Sequence, residues 1–559
     1  MFIERVVSEG LAHFSYVAGN DNDAFVVDPK RDVDQYIEIA KSNCCMIRFV
    51  FETHRNEDYL VGSLELEKLT GCRIIHSDRL DFGYGEPATE NDTFDIGGMR
   101  IRVIETPCHS RESLSFVLYL SSGEIPFAVF TGDALFYGNV GRTDLSGTEK
   151  TAEYACILHE SLHGKLLPLG DGTIVYPAHG AGSACGGTMA EIAVSTIGYE
   201  RVTNPLLGLT REEFIERKKI ENIPLPPYFA RMADHNLNGP QLLEPGLVKP
   251  MDAPTFADIM SDCTVVDTHP PVSFAGGHIK GSYNIWLRGL PNFAGWILDY
   301  KRDILLVTER QEDIETATRY LAHIGFDKVK GYLCEGIEDW QNRGMLLGQS
   351  GVYTVDGLHE KRKEEDLFVL DVREKEEYAQ GHIPGSANIY VGELEKRLAE
   401  VPSDRSVVSV CSTGNRSGLG ASILARGAMP GSGHYRLQPI TLDDVGRIVA
   451  DAALLDESVT LDAAGPEVMT FEELVRAIAA ATGQQARILH VPPWFALGLI
   501  RAVGWIMREV ILSREELAGL MEELLVSHEP PRGTESVRIW LAGHGDQLGR
   551  RYAAELARR

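Results

Sequence analysis

The chain has 559 residues, 24% of them charged, with a formal net charge of -27. That length exceeds what one hydrophobic core holds and points to three or four domains. The acidic balance argues against nucleic acid or an anionic membrane surface as partner, and nine scattered cysteines do not read as a disulfide framework.

The start, Met1-Phe2-Ile3-Glu4-Arg5, lacks the basic end and apolar stretch of a signal peptide. The most apolar late segment, residues 494–507, is interrupted by Arg501 and is too short to span a bilayer. A cytoplasmic homo-oligomer without membrane contact is expected. In the first third, four short β-branched and aromatic runs bounded by turn residues read as strands. Each leads to a group able to bind a metal. Residues 47–51 lead to Thr53-His54, 101–104 to Thr106-Pro107-Cys108-His109, 127–130 to Gly132-Asp133, and 173–176 to Ala178-His179. Ligands placed just past several strand ends gather distant residues into one rigid site.

Segments 52–59 (Glu-Thr-His-Arg-Asn-Glu-Asp-Tyr), 106–109, 130–136, 141–145 and Tyr176-Pro177-Ala178-His179-Gly180 resemble the metallo-β-lactamase superfamily. Within it they look like the persulfide dioxygenase and glyoxalase II branch, as do Asn204-Pro205-Leu206 and Asn236-Leu237-Asn238-Gly239-Pro240. The resemblance covers residues 1–245 and implies an αββα sandwich. The family's first motif, His-x-His-x-Asp-His, feeds two metal positions. Here His54 and Asp58 are kept, but Asn56 and Tyr59 stand at the other two places. An amide and a phenol are poor replacements for imidazole, so a dinuclear hydrolase of glyoxalase II type is disfavoured. The resemblance leaves His54, His109 and Asp133, the set that binds a single iron in persulfide dioxygenases. Two His and one carboxylate with open positions form the facial triad of non-haem Fe(II) oxygenases. One Fe(II) per chain is expected, with zinc the alternative. Asp58, His179 and Tyr59 either stand behind the ligands and orient them or bound water, or are polar residues near the mouth. Cys108 replaces the usual Gly beside His109 and reads as a small buried residue or a soft neighbour to the metal.

An internal repeat follows. Val265-Val266-Asp267 with Gly277-His278-Ile279-Lys280-Gly281-Ser282 recurs as Val369-Leu370-Asp371 with Gly381-His382-Ile383-Pro384-Gly385-Ser386. Strands alternate with helix-like stretches, an α/β pattern, and the repeated block resembles the rhodanese domain. The copies span 250–348 and 350–430. In the second, the strand 407–410 runs into Cys411-Ser412-Thr413-Gly414-Asn415-Arg416-Ser417 and then a helix. A Cys between a strand end and a helix start sits among backbone N–H groups that favour thiolate. Cys-x4-Arg resembles sulfurtransferases, which implies Cys411 as sulfur nucleophile, the 412–416 loop as anion cradle, and Arg416 as holder of the anionic donor. In the first copy Thr308 stands where the Cys should be, with Glu309, Glu312 and Asp313 repelling an anion. That copy reads as inactive, with a packing or docking role.

After Arg426-Gly427 the second copy lacks the closing strand and helix of the first. Residues 435–559, with Leu437-Gln438-Pro439-Ile440, Ala464-Gly465-Pro466-Glu467 and Val491-Pro492-Pro493-Trp494, resemble the C-terminal part of extended short-chain dehydrogenases of the epimerase and NmrA-like type. No Gly-rich dinucleotide fingerprint precedes them, so a mostly helical tail without NAD(P) is expected. Two functions remain. One is an enzyme that oxidises a low-molecular-weight persulfide with O₂ to sulfite, while Cys411 exchanges sulfane sulfur with thiosulfate or sulfite. The other is a sulfur-relay protein with a silent metal domain. Glutathione, coenzyme A and bacillithiol all remain open as the thiol carrier.

Overall fold

The computed structural model describes residues 1–120, 123–183, 185–186, 189–221, 223–243, 246–402, 405–427, 436–454, 461–481, 526–527 and 529–544. The chain divides into two compact units, Met1–Arg426 and Gly427–Arg559. Three of the four expected domains therefore share one unit. No helix among the described residues is long and apolar enough to cross a membrane.

The N-terminal part is built from two six-stranded sheets. The first runs Phe2–Ser8, His13–Asn20, Asp23–Val27, Met46–Phe51, Arg73–Ser77, Glu86–Ala88. The second runs Ser195–Thr196, Ile174–Pro177, Pro126–Gly132, Leu114–Leu120, Met99–Glu105, Thr93–Ile96. Side chains alternate across each strand and so divide between two faces. Tyr16, Phe25 and Phe51 of one sheet meet Ile101, Phe116 and Phe130 of the other, with the Phe51 and Phe116 rings 4.8 Å apart. Their sequence neighbours Val26 and Val50 pack with Tyr36 and Leu66 from helices Asp34–Ser42 and Ser63–Thr70. Val117, Val129 and Val175 pack with Ala155 and Leu158 of helix Thr151–Ser161. The result is the expected αββα sandwich.

Strands Pro126–Gly132 and Ile174–Pro177 pair in parallel, so Asp133 and His179 emerge at the same end. Gly132 has φ +53°, and a Cβ there would lie 2.6 Å from Oγ1 of Thr53. Glycine thus lets the Asp133 turn approach the His54 loop closely.

The first repeat copy forms a parallel five-stranded sheet in the order Pro250–Met251, Val329–Leu333, Ile304–Val307, Thr264–Asp267, Tyr283–Asn284. The second has three strands among the described residues, Ala387–Asn388, Phe368–Asp371 and Val407–Val410. Among the described residues that sheet has no counterpart of Val329–Leu333 or Pro250–Met251. Ile304–Val307 is accordingly buried throughout, whereas Val407–Val410 is half-buried along its length.

The first copy is the hub of the unit. Its Val266, Ile285 and Phe293 share one core with Tyr59, Leu60 and Val61 of the metal-domain loop and with Leu370, Leu419 and Ile423 of the second copy. Arg31 of the metal domain is fully buried and donates to Asp327 Oδ1 at 2.7 Å and to Ala322 O at 3.2 Å. On the other side, Asn284 N donates to Ser422 Oγ at 3.0 Å, and Gly418 would clash with Pro271 if it carried a Cβ. The first copy therefore packs against both the metal domain and the Cys411 helix, Asn415–Gly427.

In the second unit, strands Arg436–Leu437 and Met469–Thr470 pair, and helices Leu442–Ala452, Phe471–Ala481 and Val537–His544 follow. Its described part is mostly helical, as expected. Residues 491–494 and the whole apolar 494–507 stretch lie outside the described residues.

Candidate metal centre and sulfur-transfer loop

His54, His109 and Asp133, the three ligands expected from the sequence, lie near one another. All three are buried. Nε2 of His54 lies 3.8 Å from Oδ2 of Asp133, and Nδ1 of His109 lies 3.8 Å from the same oxygen. His54 Nε2, His109 Nε2 and Asp133 Oδ2 are buried without a hydrogen-bond partner. His54 Nε2 and Asp133 Oδ2 face each other, and His109 Nε2 faces Oε2 of Glu57 at 3.3 Å; such buried orphans are costly as bare protein and fit a cation. Burial pushes the His54 imidazole down to about 4, which keeps it neutral, the form a metal needs. Burial raises Asp133, but the charges of His179 and His54 outweigh it and hold the carboxyl well below its usual range. Cys108 is buried with Sγ 3.6 Å from Nδ1 of His109 and 3.2 Å from Ser113 Oγ, so it packs behind the ring.

Behind Asp133 lies a second buried polar group that contains Asp58 and His179. His179 joins Asp133 Oδ1 through Nδ1 at 2.7 Å and Asp58 Oδ2 through Nε2 at 2.8 Å. Burial opposes protonation of His179, yet Asp133 and Asp58 raise its pKa well above the usual value, giving a cation between two carboxylates. Asp58 and His179 thus stand behind Asp133 and orient it. Tyr59 is fully buried, and its hydroxyl donates to Asp28 O at 3.3 Å. Asn56 Nδ2 donates to His54 O at 3.3 Å. Cys185 lies with Asp58 and His179 in a group compact enough for a metal. Burial pushes its thiol up to about 12.

Cys411 stands between strand Val407–Val410 and helix Asn415–Gly427. Gly414 N donates to its Sγ at 3.1 Å and Ser417 N at 3.3 Å. Burial raises the thiol pKa, but the Ser417 hydroxyl and the N–H groups of Ser417, Thr413 and Gly414 prevail and lower it. Arg416 departs from its expected task. It pairs with Glu377 through both terminal nitrogens, one contact at 2.8 Å, and reaches Ser412 Oγ at 3.1 Å. Its charge is thus spent on bracing the loop against helix Lys375–Gln380 rather than on an open anion site. In the first copy Thr308 Oγ1 donates to Arg310 O at 2.9 Å, and the exposed Glu309 and Glu312 line the corresponding loop.

Sequence reasoning missed Glu57, Asp28 and Glu377. Each is a carboxylate that reads as solvated until distant segments pack over it or pair with it.

A model described as metallo-beta-lactamase superfamily matches residues 9–179, and one described as rhodanese-like domain matches residues 252–343 and 354–438. Two curated relatives are mitochondrial persulfide dioxygenases, ETHE1 of Homo sapiens and of Bos taurus. They are 30% and 29% identical over 219 residues, which is 38% of this chain and 78% of each relative. A solved metallo-beta-lactamase from Staphylococcus aureus subsp. aureus COL is 28% identical, with a TM-score of 0.54, and the match covers 60% of this chain and 98% of that one. The chain belongs to the metallo-β-lactamase superfamily, among relatives that include ETHE1, and carries two rhodanese-like domains behind that fold.

Proposed function

We propose that the chain is a persulfide dioxygenase coupled to sulfur transfer, with one iron held by His54, His109 and Asp133. The observation that carries this is the contrast between the two metal positions. Three buried ligand atoms at the first lack partners, while at the second His179 bonds both Asp58 and Asp133 and leaves only Asp58 Oδ1 without one. A dinuclear thioester hydrolase needs both positions. Fe(II), when bound, offers open positions to O₂ and to a sulfur anion.

The overall reaction balances as RSSH + O₂ + H₂O giving RSH, sulfite and two protons, with four electrons passing from the outer sulfur to O₂. The chain's own residues set the stage for it. His54 is held neutral, Asp133 anionic, and the His179 cation fixes the direction of the Asp133 carboxylate. At the second site the Cys411 thiolate attacks the outer sulfur of thiosulfate or of a persulfide. The new bond is Cys411 S–S, and sulfite or thiol leaves with the electron pair of the broken bond. The N–H groups of Gly414 and Ser417 stabilise the anionic sulfur.

Metal analysis of protein purified without oxygen tests the reading, together with O₂ uptake on adding a persulfide. One iron per chain is expected, and His109→Ala should lose metal and uptake together. Two tightly bound zinc ions would overturn it. Sulfur transfer at Cys411 without O₂ uptake would make the chain a sulfur relay instead.

A further inference from the structure

A cavity of about 160 Å³ opens where the metal domain meets the first rhodanese copy. The metal domain contributes Leu60 and, from helix Phe229–Asn238, Arg231. The first copy contributes Tyr300, Arg302, Phe326 and Lys328. Most of these side chains are held in place. The Tyr300 ring stacks on Phe326 with centroids 3.9 Å apart, and its hydroxyl donates to Ile324 O at 2.8 Å. The Arg231 guanidinium lies over the Tyr300 ring, 4.5 Å from its centroid. Arg302 Nη2 donates to Ser261 O at 2.8 Å and to Cys263 O at 2.6 Å.

Charge is out of balance around this cavity. The chain has 81 acidic and 54 basic residues, and exposed arginines such as Arg48, Arg73 and Arg79 pair with Asp23, Glu86 and Glu105. Arg231, Arg302 and Lys328 form no ion pair among the described residues, and the two acceptors of Arg302 are neutral carbonyls. Asp327 is the one carboxylate among the described residues that line the cavity, and its Oδ1 takes the fully buried Arg31 at 2.7 Å. Asp327 therefore matches Arg31, which is not part of the lining, and leaves the other three cations uncompensated. Like charges gathered around one cavity repel unless an anion lies between them.

We infer that this cavity binds a small, multiply charged oxyanion of sulfate or phosphate type, which bridges the metal domain and the first copy. Two guanidinium groups and an ammonium are suited to such an anion, the first two through paired N–H donors and the third as a point charge. The volume lies below the roughly 300 Å³ at which sites for drug-sized ligands begin, which limits the occupant to a small ion. The Tyr300 and Phe326 rings wall one side and keep water from screening the charges. An anion here ties Arg231 of one domain to Arg302 and Lys328 of the other. The cavity shares no residue with the metal centre or the Cys411 loop, so the inference goes beyond the iron reading and does not depend on it.

The test titrates thiosulfate and phosphate, at an ionic strength held constant with chloride, into full-length Cys411→Ser, in which sulfur transfer is removed. Expected is saturable binding by calorimetry and a thermal midpoint that rises with anion concentration, as binding to the folded state alone requires. The combined change Arg231→Gln and Lys328→Gln, made in the same background, should weaken binding at least about tenfold and cancel the rise. Both side chains are exposed, so this variant should fold as its parent does, whereas Arg302 is kept because it holds two carbonyls. Tighter binding of thiosulfate would assign the site to a sulfur oxyanion and tighter binding of phosphate to a phosphate, and either result upholds it. No saturable binding of either anion, or equal affinity in the combined variant, would overturn the inference.

Discussion

The Thr53 hydroxyl lies 2.9 Å from Nδ1 of His54, and this contact decides which face of the imidazole is free. The same hydroxyl donates to Asp28 Oδ2 at 2.7 Å, and Thr53 N donates to Asp28 Oδ1 at 2.8 Å. A hydroxyl has one proton to give, so toward the ring it accepts, and Nδ1 must carry the hydrogen. Nε2 is left with its lone pair toward Asp133. Thr53→Val keeps the volume and removes the acceptor. Metal affinity should fall about 10- to 100-fold with the fold intact, as read by competition against a chelator. Unchanged affinity would show that packing alone orients the ring.

At the sulfur site the thiol pKa is lowered, so the thiolate persists below the pH at which an ordinary cysteine, with a pKa of about 8.5, loses it. Alkylation rate against pH should show Cys411 as the most reactive thiol, with its midpoint under that value. Ser417→Ala deletes one hydroxyl donor but keeps the backbone N–H groups, so the midpoint should move up without reaching that of a free thiol. A midpoint unmoved by Ser417→Ala would assign the shift to the backbone alone. Cys411→Ser should abolish sulfur transfer from thiosulfate and leave iron content unchanged.

The junction between the metal domain and the first rhodanese copy should loosen in mild acid. His323 Nε2 meets Asp32 Oδ1 at 2.7 Å, and burial lowers the His323 pKa despite that partner. The folded protein then binds fewer protons than the unfolded chain between the folded value and about 6.5. Stability is therefore full above about pH 6.5 and falls as pH drops below it. Burial raises Asp32, but His323 prevails and lowers its pKa, which adds a loss of the same sign in stronger acid. Thermal unfolding between pH 7.5 and 5.5 should show a declining midpoint, and His323→Gln should flatten the decline. An equal slope in both proteins would place the effect elsewhere.

The strand-end ligands were legible because a strand's period of two is written in its apolar residues. Met46–Phe51 and Pro126–Gly132 could be placed, and His54 and Asp133 followed from them. The rhodanese copies were legible as a repeat, and the rhodanese-like match to the second runs to residue 438, past the Arg426-Gly427 point where the sequence pattern changes. Partnering between distant segments was not legible. Glu57 and Glu377 sit in polar loop and helix-start sequence, and only the fold brings His109 to one and Arg416 to the other. Arg31 is the extreme case, a charged residue fully buried because Asp327, almost three hundred positions away, closes over it.

The metal centre and Cys411 belong to one unit, with the first rhodanese copy packed between their domains, so their products should be linked. Sulfite, the product proposed for the metal centre, is a sulfur acceptor. Its lone pair attacks the outer sulfur of a Cys411 persulfide, the Cys411 S–S bond breaks, and thiosulfate leaves with the thiolate restored. A tether raises local concentration only where geometry lets the product travel, and docking of helix Asn415–Gly427 on the first copy fixes that geometry. Given a persulfide and O₂, wild type should yield thiosulfate, and Cys411→Ser mainly sulfite. An equimolar mixture of Cys411→Ser and His109→Ala separates coupling from diffusion, since each lacks one site. If the mixture makes less thiosulfate per sulfite than wild type at equal site concentration, the link depends on the shared unit. Equal ratios in wild type and Cys411→Ser, after correction for the spontaneous reaction, would mean the two sites work independently.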